Sequence, residues 1–284
     1  MSGAQNFTDD DRRHFVRYTR TRSWPLLQRF PVSDELHTEL LAQMLDSSPA
    51  TISSLELSLA EEARSAAARL LAGEPFRVAL SQLPFRPDDV IVAVGDSITA
   101  DRLGWFDLLG HSLALAGTPA ATLVNLGVSG NTTADVLERF DLLAAAGPTH
   151  VLLMLGTNDA RAHGRDSGYR MSTVDETERN LRALIDLVTR ELGAAVTVMT
   201  PPAVDQHRID EFFRDSPVRW QAAAVAEVAD VVRKVDPRAV DLHAAITDPG
   251  HSDLLESDGV HLSRAGQRFV LGRIVEQLAG GRPS

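Results

Sequence analysis

Two rhythms of apolar residues divide this chain. Up to about residue 86 the apolar positions recur at helical spacing, with no strand-like alternation. Residues 33–45 place Leu36, Leu40, Leu41, Met44 and Leu45 on one stripe. Ser58 and Glu61 have the spacing of a capping box, and the Ala/Leu-rich helix that follows is expected to stop at Gly73 as a C′ residue. Leu83-Pro84-Phe85-Arg86-Pro87-Asp88-Asp89 then breaks the pattern, because each proline disfavours helix at the residue before it. The boundary is drawn there: residues 1–86 form a helical N-terminal module and residues 87–284 a second domain.

From Val90 onward the reading alternates β and α. Val90-Ile91-Val92-Ala93-Val94 is an unbroken apolar run, and similar runs recur at 121–125, 149–155, 195–200 and 238–242. Strands apolar on both faces are what a parallel sheet covered on both sides requires. Helical stretches lie near 103–116, 134–146, 174–192 and 218–235, with a last helix over 264–278. Thr173 and Glu176 form a capping box, and Gly193 ends that helix. The pattern predicts a three-layer α/β/α fold of flavodoxin-like type with a five-stranded parallel sheet, plus the N-terminal helical extension.

Length and charge narrow the function classes. A chain of 284 residues can bury one sizeable core and still carry an appended module. A formal net charge of -11 argues against nucleic acid or an anionic membrane surface as partner and favours a neutral or weakly charged small molecule. The lack of cysteine excludes disulfides, thiolate catalysis and cysteine metal sites. The start of the chain has no apolar stretch after a basic segment, and nowhere do eighteen apolar residues run together; the expectation is a protein without a membrane span that stays in the cytoplasm. No His-Glu-x-x-His pattern occurs and the turn after the first strand lacks Gly-x-Gly-x-x-Gly, so neither a metal nor a dinucleotide or other cofactor is expected.

The candidate chemistry lies in four short segments, each where a predicted strand has ended or the last helix is about to begin. They are Gly95-Asp96-Ser97-Ile98, Asn125-Leu126-Gly127-Val128-Ser129-Gly130-Asn131-Thr132, Gly156-Thr157-Asn158-Asp159 and Asp258-Gly259-Val260-His261. Open α/β sheets gather ligands at the carboxyl ends of their strands. Ser97 would project its hydroxyl at a helix N-terminus, where backbone N–H groups favour negative charge. The bland alternative is that Asp96, Ser97 and Thr99 only cap that helix. Gly130 offers an unshielded N–H and Asn158 a side-chain amide, which with the Ser97 N–H could bind a developing oxyanion; a plain turn and an Asx turn are the competing readings. Asp159 is read as a loop stabiliser. Asp258 and His261, three apart before the final helix, have the spacing of a base and its orienting carboxylate, which His243 and His251 lack.

In this order the four segments resemble the SGNH hydrolases, also called GDSL-type esterases or lipases, over residues 90–280. The resemblance implies Ser97 as nucleophile, Ser97, Gly130 and Asn158 as the oxyanion hole, His261 as general base and acid, and Asp258 as its partner. It implies a serine esterase acting on short acyl or acetyl esters, carbohydrate esters among them, through an acyl-enzyme on Ser97. An acyltransferase with the same triad and a non-catalytic binding protein are the alternatives. Residues 1–86 lie outside the resemblance and could serve as lid, specificity element or homo-oligomer surface. Trp24, Phe15 and Tyr18 are candidates for stacking on substrate, against the commoner core role of aromatics in helices. Arg161 and Arg165, beside Asn158, are candidate substrate contacts, against solvated charge as the default.

Overall fold

The computed structural model describes residues 7–118, 121–164, 168–247 and 253–280. Before the sheet come α1 (Asp9–Tyr18), α2 (Pro25–Gln28), α3 (Asp34–Met44), α4 (Pro49–Ala72) and α5 (Glu74–Ser81). Helix α4 starts at Pro49, and the Ser48 hydroxyl caps it by accepting from the Thr51 N–H. Ser58 therefore lies inside a helix and heads no capping box: serine followed by proline at the first helical position is the stronger start. Gly73 ends α4 with φ −78°, not left-handed, because it is also the residue that leads into α5. On α3 the buried positions are His37, Leu41 and Ala42, followed by Leu45, whereas Leu36 and Met44 face solvent; the stripe is narrower than the spacing suggested.

The second part runs β1 (Val90–Gly95), α6 (Ser97–Ala100), α7 (Trp105–Leu115), β2 (Thr122–Asn125), α8 (Thr133–Glu138), α9 (Phe140–Ala145) and β3 (His150–Met154). It continues with β4 (Ala162–His163), β5 (Tyr169–Arg170), α10 (Val174–Asp186), β6 (Ala195–Met199), α11 (Gln206–Phe212), β7 (Val218–Arg219), α12 (Ala222–Val235), α13 (Leu242–Ile246) and α14 (Arg264–Gly280). Strands pair in the order β2-β1-β3-β6, all parallel. The fifth strand expected over 238–242 is reduced to one parallel bridge, Met199 to Val240. Asp241 explains this: its carboxylate caps α13 by accepting from the Ala244 N–H and is gripped by Arg233, so the chain turns into helix after a single paired residue. Val218 and Arg219 also depart from helix and pair with β4, in a small antiparallel sheet of order β5-β4-β7.

Alternation along each strand divides the core. Ile91, Ala93, Leu152, Met154 and Met199 face a cluster built with α3, α4, α7 and α14, while Val92, Val94, Val151, Leu153 and Val198 face one built with α8, α10 and α12. Two covered faces give the three-layer flavodoxin-like arrangement. The N-terminal helices thus share an apolar cluster with the sheet. Polar ties reinforce the contact: Arg17 donates to both carboxylate oxygens of Asp101, whose side chain is fully buried, and to Glu256. Arg102 donates to the carbonyls of Val16 and Thr19 and to Glu56. Replacing Arg17 by Ala leaves Asp101 buried without its cation, and is expected to cost about 3 kcal/mol, read as a lower urea midpoint at unchanged slope. Among the described residues no helix is long and apolar enough to cross a membrane.

Candidate active site

Because β2 and β3 lie on opposite sides of β1, the carboxyl ends of β1 and β3 flank the point where strand order reverses, the usual crevice of such sheets. Ser97 follows β1 and Asn158 follows β3. Asp96, buried, caps α6 through Oδ1, which accepts from the Ile98 N–H at 2.9 Å. Ser97 is the first residue of that short helix, so its own N–H has no partner within it. Burial pushes the Asp96 carboxyl up to about 6, against the Ile98 N–H and the charge of His261, which pull it down.

The loop after β2 is drawn tight against the Ser97 turn. Asn125 donates to the Thr99 carbonyl and accepts from the Gly127 N–H, and the Val128 N–H donates to the Gly95 carbonyl. A Cβ on Gly127 would sit 2.5 Å from the backbone nitrogen of Ala100, so only glycine permits this approach. Gly130, with φ +86°, then aims its backbone into the cleft. Asn158 is buried and donates one amide hydrogen to the Asn131 carbonyl at 3.2 Å, which fixes its side chain while leaving the second hydrogen available. Asp159 is buried beneath it and accepts from the Thr133 N–H and hydroxyl and from Thr177, pinning the loop to α8 and α10. Burial raises its pKa.

His261 closes the arrangement. Its Nε2 lies 2.9 Å from the Ser97 hydroxyl and its Nδ1 lies 2.6 Å from Asp258 Oδ2. Asp258 Oδ1 accepts from the N–H groups of Val260 and His261, both at 2.9 Å. Burial works against ionisation of Asp258, but the His261 hydrogen bond and charge and those two N–H groups outweigh it and hold the carboxyl at about 2. An ionised carboxylate only accepts, so Nδ1 carries the proton and Nε2 presents its lone pair to the Ser97 hydroxyl. Burial lowers the pKa of His261, but Asp258 more than offsets it, with help from Asp96 and Asp101, and the net shift is upward.

A cleft of about 290 Å³ opens beside Ser97. It brings together Ser97, Gly130, Asn158 and His261, with Asp258 buried behind. One wall comes from α1 and the residue after it: His14, Phe15, Tyr18 and Thr19. The Tyr18 ring rests 4.9 Å from that of His261, and the Tyr18 carbonyl accepts from the Ser129 hydroxyl at 2.6 Å. Trp220, whose indole N–H donates to the Thr157 carbonyl, and Arg161 line the other side. Trp24 is not among the lining residues, and His243 sits at α13 with its N–H on the Thr200 hydroxyl. Arg165 and His251 lie outside the described residues. Ser129 lies in the second of the four segments, whereas Trp220 has no local sign of its place at the site and arrives through its tertiary contact with Thr157. Among the described residues no cluster of three His, Asp or Glu is placed to hold a metal.

The profile of the GDSL-like Lipase/Acylhydrolase family matches residues 93–269. A GDSL esterase/lipase of Arabidopsis thaliana is 29% identical over 208 residues, spanning 66% of this chain and 85% of that protein. The crystal structure of a lipase/acylhydrolase from Enterococcus faecalis superposes with a TM-score of 0.55 at 28% identity, over 69% of this chain and 98% of that one. A variant of an acetylxylan esterase from Geobacillus stearothermophilus shares the fold, with a TM-score of 0.54 at 22% identity over 67% of this chain and 94% of that one. The matched stretch takes in all four segments that converge on the cleft, and the chain belongs to the GDSL-like lipase/acylhydrolase family as a carboxylic ester hydrolase.

Proposed function

We propose that the chain hydrolyses short acyl and acetyl esters through a covalent acyl-enzyme on Ser97. The reading rests on one observation, the unbroken line from the Ser97 hydroxyl to His261 Nε2 at 2.9 Å and from Nδ1 to Asp258 at 2.6 Å. Ser97 Oγ attacks the ester carbonyl carbon as His261 Nε2 takes its proton. Negative charge gathers on the former carbonyl oxygen, where the N–H groups of Ser97 and Gly130 and the Asn158 amide are donors. The C–O bond to the alcohol breaks, His261 returns the proton to the leaving oxygen, and the acyl group stays on Ser97. Water, giving a proton to His261 Nε2, then attacks the acyl carbon, the bond to Ser97 Oγ breaks to release the acid, and Nε2 passes that proton to Oγ to restore the serine hydroxyl.

The small cleft, walled by Phe15 and Tyr18, favours short acyl chains, and acetylated carbohydrates are the alcohol class to test beside simple esters. In this reading residues 1–86 act on specificity by supplying that wall. A fluorophosphonate probe is expected to label the wild-type chain on the peptide containing Ser97, seen by mass spectrometry, and to leave Ser97→Ala unlabelled. Labelling that persists in the variant, or none in the wild type, rejects the assignment.

A further inference from the structure

Among the described residues the lining of the cleft carries one permanent charge, the guanidinium of Arg161. Acidic side chains outnumber basic ones 39 to 28 overall, yet among the described residues no carboxylate lines the cleft, whose lining includes Arg161, His14 and His261. With a Debye length of about 8 Å at physiological ionic strength, carboxylates on the outer surface are screened from this interior. Asp96 and Asp258 lie behind the lining, held by the N–H groups of Ile98 and of Val260 and His261.

Arg161 is the unusual member. Its Nε is buried and has no hydrogen-bond partner, and among the described residues its guanidinium has no ion pair. Other partly buried arginines have partners for their terminal nitrogens or the whole fork: Arg17 has Asp101 and Glu256, Arg139 the Asn131 side chain and the Leu126 carbonyl, and Arg170, whose Nε is also buried and unpartnered, donates through its terminal nitrogens to Glu227 and the Ala224 carbonyl. A half-buried guanidinium without a partner is costly unless something else supplies one. Nor is it loosely placed. Its backbone N–H donates to the Asn158 carbonyl and its carbonyl accepts from the Met171 N–H, while its Cζ lies 6.0 Å from the centre of the Trp220 ring. One terminal nitrogen is 3.8 Å from the point where a side chain on Gly130 would begin. The carboxylates whose charge reaches Arg161 are Asp135, already engaged by the Thr132 N–H and hydroxyl, and Asp96, engaged by the Ile98 N–H, and burial outweighs both so that the guanidinium pKa is lowered.

We propose that Arg161 is a specificity residue that receives a carboxylate carried by the ester substrate, so that the preferred substrates are esters with an anionic group near the scissile carbonyl. A planar guanidinium presents a fork of donors that a carboxylate matches with both oxygens. This inference rests on the esterase reading above and names the substrate class within it.

The test compares matched esters on the purified full chain. For an anion on the acyl side, mono-p-nitrophenyl glutarate is set against p-nitrophenyl pentanoate; for one on the alcohol side, 3-acetoxybenzoate is set against its methyl ester. The wild type is expected to favour the charged member of one pair by roughly tenfold or more in kcat/KM, the scale of a charge-assisted hydrogen bond. The pair that responds identifies which side carries the anion. Arg161→Gln is expected to erase the charged-to-neutral ratio, Arg161→Lys to keep part of it, and added salt to weaken it in the wild type. No preference in either pair, or a preference that survives Arg161→Gln, overturns the proposal. If the neutral esters are turned over and only the preference is missing, the acyl-enzyme reading stands; if neither is turned over and Ser97 resists the fluorophosphonate, that reading fails first.

Discussion

Replacing His261 by Ala is expected to reduce kcat for p-nitrophenyl acetate as severely as replacing Ser97, each by roughly ten-thousand-fold or more. The double variant should be no slower than either single one. The reason is the single proton path: the Ser97 hydroxyl sits 2.9 Å from Nε2, and without that acceptor it keeps its proton and attacks poorly. Residual turnover in each variant would come from the Ser97, Gly130 and Asn158 donors and from the walls of the cleft, which neither substitution removes. Steady-state kinetics beside a urea midpoint separates lost chemistry from lost fold, a necessary control because the Tyr18 ring packs on His261 and loses that contact in the Ala variant. Losses that multiply in the double variant would mean the two side chains act independently, and the shared-proton account would be wrong.

What could be read in the chain follows from how local each cause is. The sheet was legible because its strands are apolar on both faces, and the turns that carry Ser97 and Asn158 follow directly at their ends. The Thr173–Glu176 box reads from spacing alone and is present, with its side-chain and backbone bonds both formed. The box at Ser58 and Glu61 has equal spacing and is not formed, because spacing says nothing of the competing start at Ser48-Pro49 ten residues earlier. The strand over 238–242 has the right composition, but the pairing of Asp241 with Arg233, a tertiary contact, ends it after one bridge. Least legible was the wall of the cleft. Nothing near His261 in sequence calls for Tyr18; their meeting depends on Arg17 reaching Asp101 and on Ser129 reaching the Tyr18 carbonyl, contacts across more than eighty residues.

That wall links the N-terminal helices to the chemistry in a specific way. Arg17 spans Asp101, just beyond the Ser97 helix, and Glu256, just before Asp258, so one guanidinium ties together the two segments that must hold Ser97 and His261 at bonding distance. Its cation is favoured despite burial, because the hydrogen bonds and charge of Asp101 outweigh desolvation. The helices are therefore coupled to the site through ionic and stacking contacts as well as through the shared apolar cluster.

Replacing Asp258 by Asn is expected to lower kcat/KM by roughly a thousandfold or more and to shift its acid limb toward lower pH. The Val260 and His261 N–H groups both donate to Oδ1, so the Asn amide settles with its oxygen there and its NH2 in the place of Oδ2, against His261 Nδ1. A donor facing Nδ1 forces the neutral ring to carry its proton on Nε2, the tautomer that cannot accept from Ser97. The pH dependence follows from the same exchange. In the wild type, burial lowers the His261 pKa but Asp258 outweighs it and raises it above the ordinary 6.5, so the imidazolium persists to higher pH and kcat/KM falls as pH drops through that raised value. Removing the carboxylate removes the main support for the imidazolium, the ring stays neutral to lower pH, and the residual activity declines later on acidification. A profile of kcat/KM against pH for both proteins on p-nitrophenyl acetate checks both parts. An acid limb that stays in place, or moves toward higher pH, would show that Asp258 is not the group that sets the charge of His261.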